Sequence, residues 1–113
     1  MRELTGPDVA ALAQGQAARA KPLVLLDVRE PWEVALAAID LPGATTRSIP
    51  MREVPARLGE LDAAQPVLCF CHHGARSAQV VAFLERAGFA SAYNLAGGID
   101  AWSRDVDPGV PRY

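Results

Sequence analysis

The stretch Cys71-His72-His73-Gly74-Ala75-Arg76-Ser77 brings a thiol, two imidazoles, a guanidinium and a hydroxyl into consecutive positions. A cysteine attacks as the thiolate, and an ordinary thiol is mostly protonated at neutral pH, so the surroundings of Cys71 decide whether it is a nucleophile. Before it lies the apolar run Val67-Leu68-Cys69-Phe70, which follows Pro66 and reads as a buried strand. After Ser77 come apolar residues at helical spacing from Ala78 to Ala87, stopped by Gly88. The residues from Cys71 to Arg76 therefore join a strand end to a helix start. Backbone N–H groups there have no intrahelical partner, and the helix dipole favours negative charge. Gly74 suits a tight loop whose N–H groups turn inward as an anion-binding nest. Cys71 is thus expected to be a nucleophile of depressed pKa, with Arg76 adding positive charge and attracting anions. Ser77 is placed either to cap the following helix or to hydrogen-bond the thiolate. His72 and His73 either raise the local potential and move a proton, or lie exposed on the loop. Cys69, Cys71, His72 and His73 are too close together along the chain to wrap one zinc ion, and no second Cys/His group follows. No metal centre and no cofactor are expected.

The elements that must hold this loop read as an α/β chain. Leu23-Val24-Leu25-Leu26-Asp27-Val28 is nearly all apolar, as in a strand covered on both faces of a parallel sheet. Asp27, Arg29, Glu30 and Glu33 gather at its C-terminal end, the edge where open α/β sheets take their ligands. Glu30 and Glu33 read as caps and surface pairs of a short helix starting near Pro31. Asp27 and Arg29 are read two ways: as charges of that kind, or as an ion pair that orients the Cys71 loop. Upstream, Met1 to Leu4 is expected as a short edge strand and Thr5 as the cap of a helix stopped by Gly15. The stretch running on to Lys21 is expected to be a frayed end or loop. Downstream, Leu41 to Ala44 reads as a turn and Thr45 to Ser48 as a polar loop. In that loop Arg47 reads as solvated rather than as a second anion contact. A helix is expected from Glu53 to Leu61, a strand over Ser91 to Leu95, and a last helix after Gly97-Gly98 with Trp102 as a core anchor. The tail from Asp105 to Tyr113, with two prolines and a glycine, is expected to be irregular and mobile. Strands alternating with helices imply a central parallel sheet flanked by helices on both faces.

At 113 residues, half of them hydrophobic, the chain forms one domain spanning 1–113. A net charge of −2 without a basic run argues against nucleic acid, and no apolar run reaches membrane-spanning length. No export signal is evident and the two cysteines form no disulfide framework, so the expected location is a reducing cytoplasm. The surface charge favours a monomer.

The loop resembles the active-site loop of the rhodanese family of sulfurtransferases, and other pieces agree in order. Leu25-Leu26-Asp27-Val28-Arg29-Glu30-Pro31-Trp32-Glu33 resembles the family's aspartate-bearing strand end. Leu41-Pro42-Gly43-Ala44 with Ile49-Pro50-Met51 resembles its early signature, and Leu95-Ala96-Gly97-Gly98-Ile99-Asp100-Ala101-Trp102 its C-terminal one. One departure is Ala38-Ile39-Asp40-Leu41 where a glycine-histidine pair is usual. The resemblance implies a single rhodanese-like domain and a sulfurtransferase that works through a Cys71 persulfide. The residues His72, His73, Gly74, Ala75, Arg76 and Ser77 would form the substrate cradle, with Asp27 and Arg29 in support. It implies a small anionic sulfur donor such as thiosulfate, and as acceptor cyanide, a thiol or a sulfur-carrier protein. Cys69 then reads as buried core, or as a thiol that resolves the persulfide. Two other functions stay open. A cysteine phosphatase or arsenate reductase has a similar loop with five residues between cysteine and arginine, where this chain has four. A non-enzymatic sulfur carrier or interaction module would keep the fold without the turnover.

Overall fold

The computed structural model describes residues 2–17 and 21–113. The strands are β1 (Glu3–Leu4), β2 (Leu23–Asp27), β3 (Ala44–Ser48), β4 (Val67–Phe70) and β5 (Ala92–Leu95). The helices are α1 (Gly6–Ala17), α2 (Pro31–Leu36), α3 (Ala75–Arg86) and α4 (Gly98–Asp105). All strands pair in parallel in one sheet of order β1-β5-β4-β2-β3.

Alternate residues of the central strands build two separate cores. Val24, Leu26, Val28, Val67 and Cys69 face α3, packing on Val80, Val81 and Leu84. Leu23, Leu25, Leu68, Phe70 and Leu95 face the opposite layer of α1 and α4, packing on Val9, Ala13, Ile99 and Trp102. Helices thus cover both faces, as the continuous apolar runs require. After β2 the chain crosses to β3 on one side; after β4 it crosses to β5 on the other. The crevice between the C-terminal ends of β2 and β4 is a topological switch point, where open parallel sheets leave room for a ligand. Asp27 stands opposite Phe70 in the register, so Cys71 follows directly at that crevice.

Several local expectations change. Residues 44–48 form the edge strand β3 rather than a turn and loop, and Thr45, Thr46 and Ser48 are exposed. An edge strand packed this lightly shows no apolar pattern, while its β-branched threonines suit extended backbone. The helix expected over 53–61 is two 3₁₀ turns instead, Met51–Glu53 and Leu58–Glu60. Gly59 falls in the interior of that stretch, where glycine disfavours a continuous α-helix. In α1 the helix runs through Gly15 to Ala17, held by the buried Val9 and Ala13. Thr5 does cap it: the Asp8 N–H donates to Thr5 Oγ1 and the Thr5 N–H returns to the Asp8 carboxylate. Met1 and residues 18–20, part of the expected edge strand and frayed end, lie outside the described residues. Arg47 pairs with Glu60 and takes no part in the pocket.

The tail is irregular but docked. Val110 is buried, and its carbonyl accepts a bond from the Ser103 hydroxyl at 2.5 Å. Arg112 holds both oxygens of Asp100 at 2.9 and 3.0 Å. Burial and these bonds replace the mobility expected from its prolines and glycine.

Candidate active site

Cys71 sits where β4 ends and is 1% exposed. The loop that follows closes over its sulfur. The Gly74 N–H donates to Sγ at 3.1 Å, and the Ser77 hydroxyl lies 3.4 Å from it. Burial alone would push the thiol's pKa up. That effect is outweighed by the Ser77 hydroxyl and by the backbone N–H groups of Ser77, Gly74 and Arg76, which hold the pKa below its ordinary value. Cys69 has no such donors: it is fully buried, and burial raises its pKa far up. Of the two sequence readings for Cys69, the structure shows the core residue.

The loop is tied down on all sides. Gly74 takes a φ of +114°, favourable only for glycine, and is itself the N-cap of α3. Ser77 is therefore not the cap; it lies in the first turn of α3. Its hydroxyl sits 2.6 Å from Asn94 Oδ1, and Asn94 Nδ2 donates to the Gly74 carbonyl at 3.2 Å. From below, the N–H groups of Ile99 and Asp100 at the start of α4 donate to the carbonyls of Cys71 and His72. Gly98 makes this contact possible, because a Cβ there would lie 2.4 Å from the His72 carbonyl oxygen. Gly98 is thus explained by the fit between α4 and the loop, and Gly97 by its φ of +74° as the N-cap of α4.

Arg76 behaves differently from the expectation. Its guanidinium is held by both oxygens of Glu33, at 2.6 and 2.9 Å. Its charge is therefore largely answered before any anion arrives. Glu33, read from the sequence as a surface cap, is 3% exposed. It does serve in the capping box of α2 with Glu30, but Arg76 above all, with help from the Tyr113 hydroxyl and the Glu30 N–H, holds its pKa down at about 2 despite burial. Asp27 and Arg29 form a second, fully buried pair, with Arg29 Nε and Nη2 reaching the two Asp27 oxygens at 2.9 and 2.7 Å. Among the bonds of the described residues this pair makes none to the loop itself. It reaches the loop through Tyr113, whose hydroxyl accepts from Arg29 at 3.1 Å and donates to Glu33 at 2.7 Å.

The histidines split. His73 is exposed and lies 3.9 Å from Asp100. His72 is sandwiched, its ring 3.9 Å from that of His73 and 3.9 Å from that of Tyr113. His72, His73 and Asp100 bring possible ligand atoms within 4.8 Å of one another. Stacked imidazoles 23° apart, however, aim their in-plane lone pairs side by side rather than at one point, and both Asp100 oxygens are held by Arg112. As arranged, these residues do not fit a metal centre. Ala75 is exposed at the first position of α3. Beside the loop opens a cleft of about 260 Å³ lined by Val28, Glu30, Met51, Arg52 and Arg76.

Glu33, Asn94 and Tyr113 are the site residues that sequence reasoning missed. Only Glu33 carried a signal, as one of the charges at the end of β2.

The chain matches the rhodanese-like domain model over residues 9–105. It belongs to the rhodanese-like domain family. It is 39% identical over 82 residues to a sulfurtransferase of Allochromatium vinosum, covering 73% of this chain and 73% of that protein. It is 40% identical over 93 residues to the chloroplastic rhodanese-like/PpiC domain-containing protein 12 of Arabidopsis thaliana, covering 79% of this chain but 30% of that longer protein. Among solved structures, a rhodanese-like domain protein from Staphylococcus aureus superimposes with a TM-score of 0.73 at 31% identity, covering 100% of this chain and 99% of that one. The fold and the order of the motifs around Cys71 are those of a rhodanese-like domain. Among the described residues, no helix is long and apolar enough to cross a membrane.

Proposed function

We propose that this rhodanese-like domain is a sulfurtransferase that carries sulfur on Cys71. The observation that carries the reading is the ring of backbone donors around Sγ, the N–H groups of Gly74, Arg76 and Ser77, with the Ser77 hydroxyl beside them at 3.4 Å. They stabilise a sulfur anion in place and cost no rearrangement during reaction. The Cys71 thiolate attacks the outer sulfur of a donor such as thiosulfate. A new S–S bond forms, the donor's S–S bond breaks, and sulfite leaves with the electron pair. The terminal sulfur of the persulfide is then attacked by an acceptor nucleophile (cyanide in the test tube, a thiol or a sulfur-carrier protein in cells), and Cys71 returns as the thiolate. Both cysteines are free, as a nucleophile that must turn over requires; a reducing cytoplasm, with the protein as a monomer, is the setting proposed for it.

A cysteine phosphatase loop of this kind has five residues between cysteine and arginine, and this loop has four between Cys71 and Arg76. The smaller cradle favours a single sulfur over a phosphoryl group.

The test is intact mass after incubation with thiosulfate, for the native chain and for Cys71→Ala. The expected outcome is a gain of one sulfur atom in the native chain and none in the variant. The same gain in Cys71→Ala, or none in the native chain, would remove the thiosulfate reading.

A further inference from the structure

The Tyr113 side chain touches both of the carboxylate–arginine pairs beside the loop. The Tyr113 hydroxyl accepts from Arg29 Nη1 at 3.1 Å and donates to Glu33 Oε2 at 2.7 Å. Its ring lies flat on His72, 3.9 Å away and tilted by 11°, with Trp32 edge-on at 6.3 Å. Behind it, Val110 is buried, the Ser103 hydroxyl holds the Val110 carbonyl, and Arg112 is paired with Asp100 on α4. The segment is thus anchored twice before it reaches the site, so the phenol arrives in one place.

We propose that Tyr113 is a positioning residue for the Cys71 centre: its hydroxyl joins the buried Asp27–Arg29 pair to the Glu33–Arg76 pair, and its ring fixes His72, so that the tail sets the loop around the nucleophile.

Geometry supports each half. Glu33 accepts four bonds, two from Arg76, one from the Glu30 N–H and one from Tyr113. The Tyr113 bond is the one that ties this carboxylate to the immobile Arg29. Without it the Glu33 carboxylate keeps Arg76 and the Glu30 N–H but loses its side-chain link to Arg29, and Arg76 carries one of the N–H groups around Sγ. His72 adjoins Cys71, and its ring is held between Tyr113 and the exposed His73. A stack of this kind costs little to form, because a phenol has few torsions to freeze. No substrate contact is assigned to Tyr113; it acts through Glu33, Arg76 and His72.

The inference rests on Cys71 being the sulfur-accepting nucleophile, yet one readout is independent of sulfur transfer. Tyr113→Phe keeps the ring and removes the hydroxyl; Tyr113→Ala removes both. Each is compared with the native chain by the pH dependence of iodoacetamide alkylation of Cys71, by the rate of persulfide formation from thiosulfate, and by thermal melting. The alkylation midpoint is expected to move to higher pH in Tyr113→Phe and further in Tyr113→Ala. Persulfide formation should slow by about three- to tenfold and by more than tenfold respectively, the first being the scale of one ordinary hydrogen bond because Tyr113 acts on the sulfur only through Glu33, Arg76 and His72. A residue that merely stabilised the fold would lower the melting temperature and leave the alkylation midpoint in place. If Tyr113→Ala does not fold, Tyr113→Phe decides alone. Native values of both midpoint and rate in Tyr113→Phe overturn the proposal. Failure of the native chain to take sulfur would defeat the function proposed above, while the alkylation midpoints would still judge Tyr113.

Discussion

Two arginines stand near the end of β2 and the start of α3, and each is held by a carboxylate through two bonds. Arg29 has no exposed side-chain surface and meets further acceptors in the carbonyls of Ala37 and Glu33 and in the Tyr113 hydroxyl. Arg76 has a third of its side chain exposed, and among the described residues its guanidinium bonds to Glu33 alone. The first pair is closed: every direction of the guanidinium fork is used inside the protein. The second is open on its outer side, where the cleft with Glu30, Met51 and Arg52 begins. The difference assigns the roles. A closed pair holds backbone in place and has nothing left for substrate, whereas a half-open pair can lean toward an incoming anion without either charge being abandoned.

The sharpest way to break this comparison is to remove each arginine in turn. Arg29→Leu leaves Asp27 buried without its counter-charge, at a point where three chain segments meet. Breaking a buried pair from one side is expected to cost about 3–5 kcal/mol, read as a fall in the urea midpoint at neutral pH. While the chain stays folded, sulfur transfer should slow about as in Tyr113→Phe, because the same link from Arg29 to Glu33 is lost. If Arg29→Leu were as stable as the native chain, the closed pair would not be the scaffold described here.

Arg76→Gln should divide the other way. Glu33 keeps the Glu30 N–H and the Tyr113 hydroxyl, so the expected loss of stability is smaller, about 1–2 kcal/mol. Persulfide formation should fall by about tenfold or more, as expected when a charge-assisted contact to an anion is lost. Equal losses of stability in the two variants, with unchanged sulfur transfer in Arg76→Gln, would erase the distinction between them.

How far the sequence exposes these parts follows from where each signal resides. β2, β4 and α3 are legible because continuous apolar runs and helical spacing are local properties, and the Cys71 loop is legible because its groups are contiguous. The strand β3 hides behind exposed threonines, and Val54, Leu58 and Leu61 have the spacing of one helix where the chain makes two 3₁₀ turns. The partners of the loop are a different matter. Glu33 meets Arg76 across 43 residues, Ser77 meets Asn94 across 17, and Tyr113 meets Glu33 across 80. Such contacts leave no periodicity and no turn chemistry to read. A glutamate at a helix start looks like a cap, which Glu33 also is; only the tertiary fold reveals its second partner. The closed pair was half legible for a related reason. Asp27 and Arg29 are two residues apart, so their union could be weighed from the sequence, but the link onward to the loop passes through Tyr113.

The comparison can be sharpened last by acid. Arg76, with help from Tyr113 and the Glu30 N–H, lowers the Glu33 pKa from an ordinary 4.5 to about 2. A carboxylate whose pKa is depressed by folding stabilises the fold above its unfolded pKa, and that contribution is lost as pH falls through its folded one. The window is therefore pH 4.5 down to about 2. With Arg76 partly open to solvent, the contribution should be on the order of 1–2 kcal/mol. Unfolding midpoints measured across that window should fall more steeply for the native chain than for Glu33→Gln, whose amide cannot titrate. In Arg76→Gln the carboxylate keeps two donors but loses the strongest one, so its slope should lie between the two. Identical slopes in all three chains would mean that Glu33 gains nothing from the open pair, and that Arg76 is held in place by the loop backbone rather than by its carboxylate.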